Sequence, residues 1–415
     1  MALYEKLEYE LELITPAFIG GAFPKEQAEL RPASFIGILR WWFRNLALTF
    51  TDDLNEIYNL ESELFGNTQR AGKVWVRFGD IPKEKYKQFE VPQNVDISIL
   101  TYLGYGNFTY VNCEKPKSKS EYQHICQKLP FFKGNINVRA FIPAGEKVKL
   151  TLLVPKKYKN LLENLLFIVS QLGALGGRNR RGWGNFYLNS LNGKKESWKS
   201  CKVERAYDNF ISELCKFIPR GNSAQSIRIY EKNCEKSNPL EVLNLVGLNY
   251  KNFRNKKPAK FSKVKFFLQR KPYLIYNYAW LGLPIQVKPK LKKINKNKNL
   301  NKKNREVVEI NLFNKNESKR LASPILFRVF RNATSRFELL LIVFDKRRFY
   351  KKEEGYYHWN FSNAKVKAKL VRKLNKKKQI LAEKPVVMSQ SFENFVCNFL
   401  QEIKVSTQPV LTLGG

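Results

Sequence analysis

Histidine is nearly missing from this chain: 415 residues include only His124 and His358. Many metal-independent ribonucleases rely on histidine as general acid or base, so its scarcity argues against an enzyme of that kind. His124 lies in Glu-Tyr-Gln-His-Ile-Cys and His358 in Gly-Tyr-Tyr-His-Trp-Asn, neither beside a basic motif. Aspartate is scarce as well, six in all, and only Asp52 and Asp53 are adjacent. Two-metal nuclease sites need converging carboxylates, and the ordinary reading of this pair is a solvated loop after a helix. Cys113, Cys126, Cys201, Cys215, Cys234 and Cys397 form no Cys-x-x-Cys pair, which excludes a zinc site of usual spacing and predicts buried, reduced thiols. No apolar run approaches the ~20 residues of a membrane span. The opening Met-Ala-Leu-Tyr-Glu-Lys lacks the basic then apolar pattern of a signal peptide. These absences predict a cytoplasmic protein with no catalytic residue, metal or cofactor.

Positive charge is what the chain has in excess. There are 74 Lys and Arg against 36 Asp and Glu, a formal net charge of +38. A polyanion is the natural partner of such a surface, and without a membrane anchor that polyanion is nucleic acid.

Two segments concentrate this charge on patterned sequence. In Glu29-Leu-Arg-Pro-Ala-Ser-Phe-Ile-Gly-Ile-Leu-Arg-Trp-Trp-Phe-Arg44, the residues Ile36, Leu39, Phe43, Leu46 and Phe50 recur at helical steps and predict one buried stripe. Pro32 and Ser34 predict the helix start, with Ser34 as cap. Arg40 and Arg44 are four apart on one face, with Gly37 a turn earlier. In Leu172-Gly-Ala-Leu-Gly-Gly-Arg-Asn-Arg-Arg-Gly-Trp-Gly-Asn185, five glycines surround Arg178, Arg180 and Arg181. A leucine-rich helix precedes this loop and a strand follows it. A dinucleotide fingerprint or P-loop needs the reverse order, so that phosphate meets a helix N-terminus. Gly176 and Gly177 with the three arginines instead suit a sugar-phosphate chain passing close to the backbone.

Together, Thr15-Pro-Ala-Phe-Ile-Gly-Gly21, the Leu30-to-Arg44 run, Leu64-Phe-Gly66 and the glycine-arginine loop resemble, in this order, the RAMP superfamily of CRISPR-associated RNA-binding proteins. Within it they are most similar to the first subunit of Cmr-type (type III-B) effector complexes. Leu281-Gly-Leu-Pro284 and Arg320-Leu-Ala-Ser-Pro-Ile-Leu-Phe-Arg328 extend the likeness into the second half. The resemblance implies a non-catalytic subunit that contacts guide RNA and target RNA near the guide 3′ end, beside other RAMP subunits. It implies RNA contacts from Arg31, Arg40, Arg44, Arg178, Arg180, Arg181, Arg320 and Arg328, with Trp41 or Trp183 stacking on bases. Two rivals stand: a RAMP endoribonuclease that processes guide precursors, and an RNA-binding protein unrelated to CRISPR.

The strand and helix pattern predicts an α+β fold with antiparallel sheets. Strands are expected at 6–15, 73–78 and 147–154, then a helix, the glycine loop and a final strand, a ferredoxin-like (RRM-like) domain over 1–198. A second ferredoxin-like domain is expected over 199–415. Its strands are Phe261–Leu268, Pro324–Phe330 and Phe337–Phe344, followed by an amphipathic helix over Ser391–Ile403. A Lys/Asn-rich insertion at about 286–305 cannot bury a core. It either draws RNA electrostatically or is passively solvated. The aromatic and basic segment 80–135, with Tyr102, Tyr105, Lys115, Lys117 and Lys119, either reaches along RNA or is a covering β-hairpin.

Overall fold

The computed structural model describes residues 3–21, 27–79, 89–110, 136–191, 197–223, 225–255, 274–275, 281, 285–287, 305–313, 323–345, 350–353, 356–359, 365–374, 377–387 and 390–414. The elements are β1 (Tyr4–Leu13), α1 (Pro32–Ala47), α2 (Leu54–Phe65), β2 (Trp75–Phe78), α3 (Ile97–Leu103), β3 (Phe108–Tyr110), β4 (Ile136–Val138), β5 (Lys147–Pro155), α4 (Lys159–Leu172), β6 (Phe186–Ser190), α5 (Ser200–Leu214), β7 (Ser226–Lys236) and α6 (Pro239–Asn255). After them come β8 (Leu274–Ile275), β9 (Ile285–Val287), β10 (Arg305–Phe313), β11 (Ile325–Arg331), β12 (Phe337–Asp345), β13 (Tyr350–Glu353), β14 (Tyr356–Trp359), β15 (Lys365–Leu374), β16 (Lys377–Val387), α7 (Phe392–Glu402) and β17 (Leu411–Leu413).

The first sheet has the order β2-β5-β1-β6. Its pairs are antiparallel, with Leu7 opposite Leu152, Leu11 opposite both Val148 and Leu188, and Val76 also opposite Leu152. β1, β5 and β6 each bring apolar side chains to the face that α1 and α4 cover; Leu11, Leu150, Leu152 and Val154 are fully shielded. Strand, helix, two strands, helix, strand, with the first strand between the third and fourth, is the ferredoxin-like arrangement. A second sheet repeats the strand pattern: it reads β11-β12-β7-β17, with its first strand, β7, between β12 and β17. The fold is therefore α+β with two such antiparallel sheets.

The compact units do not divide at residue 198. One unit joins residues 1–249 with Leu326–Phe344 and Gln408–Gly415; the other holds Tyr250–Ile325 and Asp345–Thr407. The physical reason lies inside the first unit, where buried polar bonds tie β11 to the first fold. Arg331 reaches the carboxylate of Glu12 at 2.8 Å, Asn189 donates to the same group at 2.9 Å, and the Asn185 side chain accepts from the Val329 amide at 2.8 Å. In the second unit, β8-β16-β15-β10-β9 form a five-stranded sheet, antiparallel except where β16 meets β8. There Phe253 packs edge-on against Phe395 and Phe399 at 5.5 and 5.0 Å.

Several local expectations change. α1 begins at Pro32, and Arg31, in extended backbone, is its N-cap with no side-chain cap bond. Proline at the first helical position has its φ already set for the helix and lacks an amide that would go unpaired there, so the helix starts ahead of Ser34. The buried face of α1 is Phe35, Leu39, Trp42, Phe43 and Leu46, and Ile36 is only half-buried. The face is turned because Trp42 packs against Phe344 at 5.8 Å. Leu39 is fully buried, so Leu39→Ala should cost about 2–5 kcal/mol of stability, read as a lowered denaturant midpoint. Asp53 does not sit in a plain loop: it caps α2, accepting from the amides of Asn55 and Glu56 at 2.9 and 3.2 Å.

Cys201, Cys215 and Cys397 are exposed rather than buried, because each falls on the outer side or end of an amphipathic helix. Cys234 is half-buried on β7, and loss of water there pushes its thiol up to about 11. Residues 261–268, Lys115, Lys117, Lys119 and most of 286–305 lie outside the described residues. Of segment 80–135, α3 and β3 are described, and β3 pairs antiparallel with β4.

Candidate nucleic-acid interface

The glycine loop is a fixed structure because the Thr15–Gly21 segment holds it. The Thr15 hydroxyl donates to the Gly182 carbonyl and accepts from the Asn185 amide, both at 2.8 Å. The Gly184 amide donates to Pro16 at 2.9 Å and the Gly177 amide to Phe18 at 2.8 Å. Gly176 has φ of +79°, and a Cβ there would lie 2.6 Å from the Phe18 carbonyl oxygen. The glycines thus permit approach of the chain's own backbone, which corrects the reading of Gly176 as space left for a ligand. Gly176→Val should lower stability by more than about 2 kcal/mol from the left-handed backbone and the collision together; unchanged melting would contradict this packing.

The three arginines leave the loop in different directions. Arg178 is exposed and itself takes φ of +61°, with its Nε donating to the Tyr105 carbonyl at 2.5 Å. Arg181 lies over the Phe327 ring at 5.5 Å, next to the backbone bond from the Phe327 amide to the Arg180 carbonyl. Arg180 lies over the Trp41 ring at 5.0 Å. Burial first, and the charge of Arg181 second, pull its guanidinium below the usual arginine value, a shift that leaves it charged at neutral pH. Trp41 in turn meets Phe344 edge-on at 5.2 Å.

Gly37, Trp41, Asn179, Arg180 and Phe327 line one cavity of about 310 Å³, whose described lining carries no carboxylate. A Cβ at Gly37 would meet nothing within 4 Å, so the glycine opens the wall of this cavity. An aromatic floor, a desolvated guanidinium and an open helix face are the parts that hold a base and its phosphate.

Arg40 and Arg44 differ from expectation. Both grip one buried carboxylate, Glu61 of α2: Arg40 Nε at 2.6 Å and Arg44 Nε at 3.0 Å, with the Glu61 side chain only 2 % exposed. They are structural partners first. Arg40→Glu with Arg44→Glu would surround a buried carboxylate with two more, so the double variant should lose at least about 3 kcal/mol and melt well below the parent. Arg44 keeps half its side chain in solvent, and Arg31 is half-buried and pairs with Glu29 at 3.0 Å.

Two further expectations are corrected outright. Trp183 is fully buried, its ring 5.1 Å from Phe18 and 5.5 Å from Phe108, so it stacks on protein and not on bases. Arg328 is fully buried on β11 and donates to four backbone carbonyls: Gln171 at 2.7 Å, Gly173 at 2.9 Å, Ser170 at 2.6 Å and Phe186 at 2.7 Å. Three of these belong to the C-terminal end of α4, where carbonyls lack intrahelical donors and the helix dipole is negative. Burial pulls the guanidinium down to about 10, so it remains charged at neutral pH. Arg320 lies outside the described residues. Among the described residues no group of three or more His, Cys, Asp or Glu side chains could hold a metal ion, and no helix is long and apolar enough to cross a membrane.

Comparison with known proteins agrees with the motifs. The model of the RAMP superfamily matches residues 10–187. The chain is 28% identical over 194 residues to the CRISPR system Cmr subunit Cmr1-2 of Pyrococcus furiosus, covering 46% of this chain and 97% of that protein. It is 27% identical over 183 residues to subunit Cmr1-1 of the same organism, covering 44% of this chain and 47% of that protein. The crystal structure of Cmr1 from Pyrococcus furiosus in its apo form aligns over 99% of both chains with a TM-score of 0.49 and 14% identity. Over residues 10–187 this chain matches the RAMP superfamily model, and it is similar to the Cmr1 subunits of the CRISPR Cmr system of Pyrococcus furiosus.

Proposed function

We propose that this chain is an RNA-binding subunit of a type III-B (Cmr) RNA-guided effector complex, without cleavage chemistry of its own. In this reading it holds guide and target RNA near the guide 3′ end, beside other RAMP subunits. The observation that carries the reading is the seating of Arg180 over Trp41 in the cavity that Gly37 opens. The two motifs that resemble RAMP proteins, far apart in sequence, supply that one groove. The likeness to Cmr1 subunits and the net charge of +38 support the same partner. Arg178, Arg180 and Arg181 meet phosphates, Trp41 meets a base, and guide-target pairing supplies the sequence selectivity that phosphate contacts lack. With two histidines in the chain, acid-base cleavage has few groups to use.

The test is isolation of the tagged full chain from its host, with sequencing of bound RNA and identification of bound proteins. Guide RNAs and further RAMP subunits are the expected yield. Ribosomes in their place would contradict the proposal, as would RNA cleavage by the purified chain that is lost on changing a single acid or base.

A further inference from the structure

The Leu64-Phe-Gly66 segment is shared with the RAMP pattern yet takes no part in the groove described above. It ends α2 and opens a short loop to β2 that is internally tied. The Asn67 side chain accepts from the amides of Gln69 and Arg70, each at 2.9 Å, and the Asn67 amide donates to the Arg70 carbonyl at 3.0 Å. Gly66, with φ of +82°, makes the turn. Beside this loop is a second, open groove of about 530 Å³, lined among others by Arg40, Tyr58, Asn67, Thr68 and Arg70.

Three properties of this groove suit a nucleotide. Its described lining holds two arginines and no carboxylate. Tyr58 presents an aromatic ring that is 53% exposed, a face on which a base can stack. Arg70, exposed, is steadied by a bond from its Nη2 to the Asn59 carbonyl at 3.0 Å, and Arg40 is steadied by Glu61, so both guanidiniums are positioned before any ligand arrives. The groove adjoins α1 through Arg40, one helical turn from Gly37 of the first groove. Gly37 projects no side chain between them.

We infer that this groove is a second RNA subsite: a single strand held in the first groove crosses α1 at Gly37, and a nucleotide further along it stacks its base on Tyr58 with phosphate at Arg40 and Arg70. The inference rests on the proposed RNA-binding function and adds a path for the strand. It gives the Leu64-Phe-Gly66 turn a purpose, which is to present Asn67, Thr68 and Arg70 at a fixed distance from α1.

The experiment measures affinity of the full chain for uridine homopolymers of two lengths, roughly four and roughly twelve nucleotides, at one salt concentration. Tyr58→Ala with Arg70→Ala should weaken the longer strand by about tenfold or more. The shorter one, satisfied by the first groove, should change by less than about twofold. Tyr58→Phe alone, which keeps the ring, should bind both as the parent does. Equal affinity of parent and double variant for the longer strand overturns the subsite, and so does equal weakening at both lengths. A Tyr58→Phe variant as weak as Tyr58→Ala overturns the stacking role. Failure of the parent to bind either length removes the proposed function itself, an outcome distinct from all of these. Because both side chains are exposed, unchanged thermal melting accompanies the expected result.

Discussion

Arg328→Met should melt far below the parent, by about 10 °C or more, although it replaces one long side chain with another of similar reach. The guanidinium serves four carbonyls at once, three of them at the end of α4 and one on β6. Among the described residues no carboxylate is hydrogen-bonded to it; the negative end of the helix dipole takes that part. Each bond to a charged donor contributes about 1.5–3 kcal/mol, and a buried acceptor left alone costs about 1–3 kcal/mol. The contributions overlap, so the expected loss is at least about 4 kcal/mol, a large share of the 5–15 kcal/mol that typically holds a domain together. Arg328→Lys keeps charge but cannot serve four acceptors, and should fall between the two. Calorimetry decides the matter: melting of the methionine variant within about 2 °C of the parent would mean that the arginine does not pin α4 and the glycine loop.

The second large effect belongs to the loop arginines. Binding of single-stranded RNA should be indifferent to sequence and steeply dependent on salt. On the proposed reading, Arg178, Arg180 and Arg181 would make three phosphate contacts. Arg40 and Arg44 together offer about one more, since Glu61 already takes one of their two charges. Four contacts at ~0.7 each give a slope near −3 in log affinity against log salt. Arg178, Arg180 and Arg181 changed together to alanine should flatten that slope to about −1 and weaken binding about a hundredfold or more near 0.1 M salt. All three are at least partly accessible, so the variant should stay folded. A parent slope near zero would remove the electrostatic mechanism, and an unaffected triple variant would reduce the loop to a structural connection.

The fold was legible to the extent that strands alternate and helices repeat. Leu7, Leu11 and Leu13 on β1, and Val148, Leu150, Leu152 and Val154 on β5, put apolar residues on one face at every second position, and the sheet follows them. α6 was equally readable in principle, since Leu240, Leu243, Val246, Tyr250 and Phe253 recur at steps of three and four and are buried. Glu61 is a different case. In Asn-Leu-Glu-Ser-Glu-Leu-Phe its carboxylate cannot be told from the solvated Glu63 two residues later, and only the packing of α2 on α1 buries one and leaves the other partly exposed.

Arg328 carried a local signal that the motif reading overrode. Ile-Leu-Phe-Arg-Val-Phe has no polar alternation, which marks a strand covered on both faces. A lone arginine in such a strand belongs inside, where it must find acceptors. Arg180 shows the converse, because nothing local distinguishes it from Arg178 or Arg181. Its place over Trp41 depends on a helix more than 130 residues earlier in the chain.

Ultraviolet crosslinking of the full chain to single-stranded RNA, with the attached peptides identified by mass spectrometry, tests the RNA path most directly. Crosslinks are expected at Trp41 and within residues 176–183, and they should disappear when Arg178, Arg180 and Arg181 are changed to alanine. Crosslinks confined to residues 250–325 or 345–407, with none at Trp41 or the loop, would contradict the assignment of this groove to RNA.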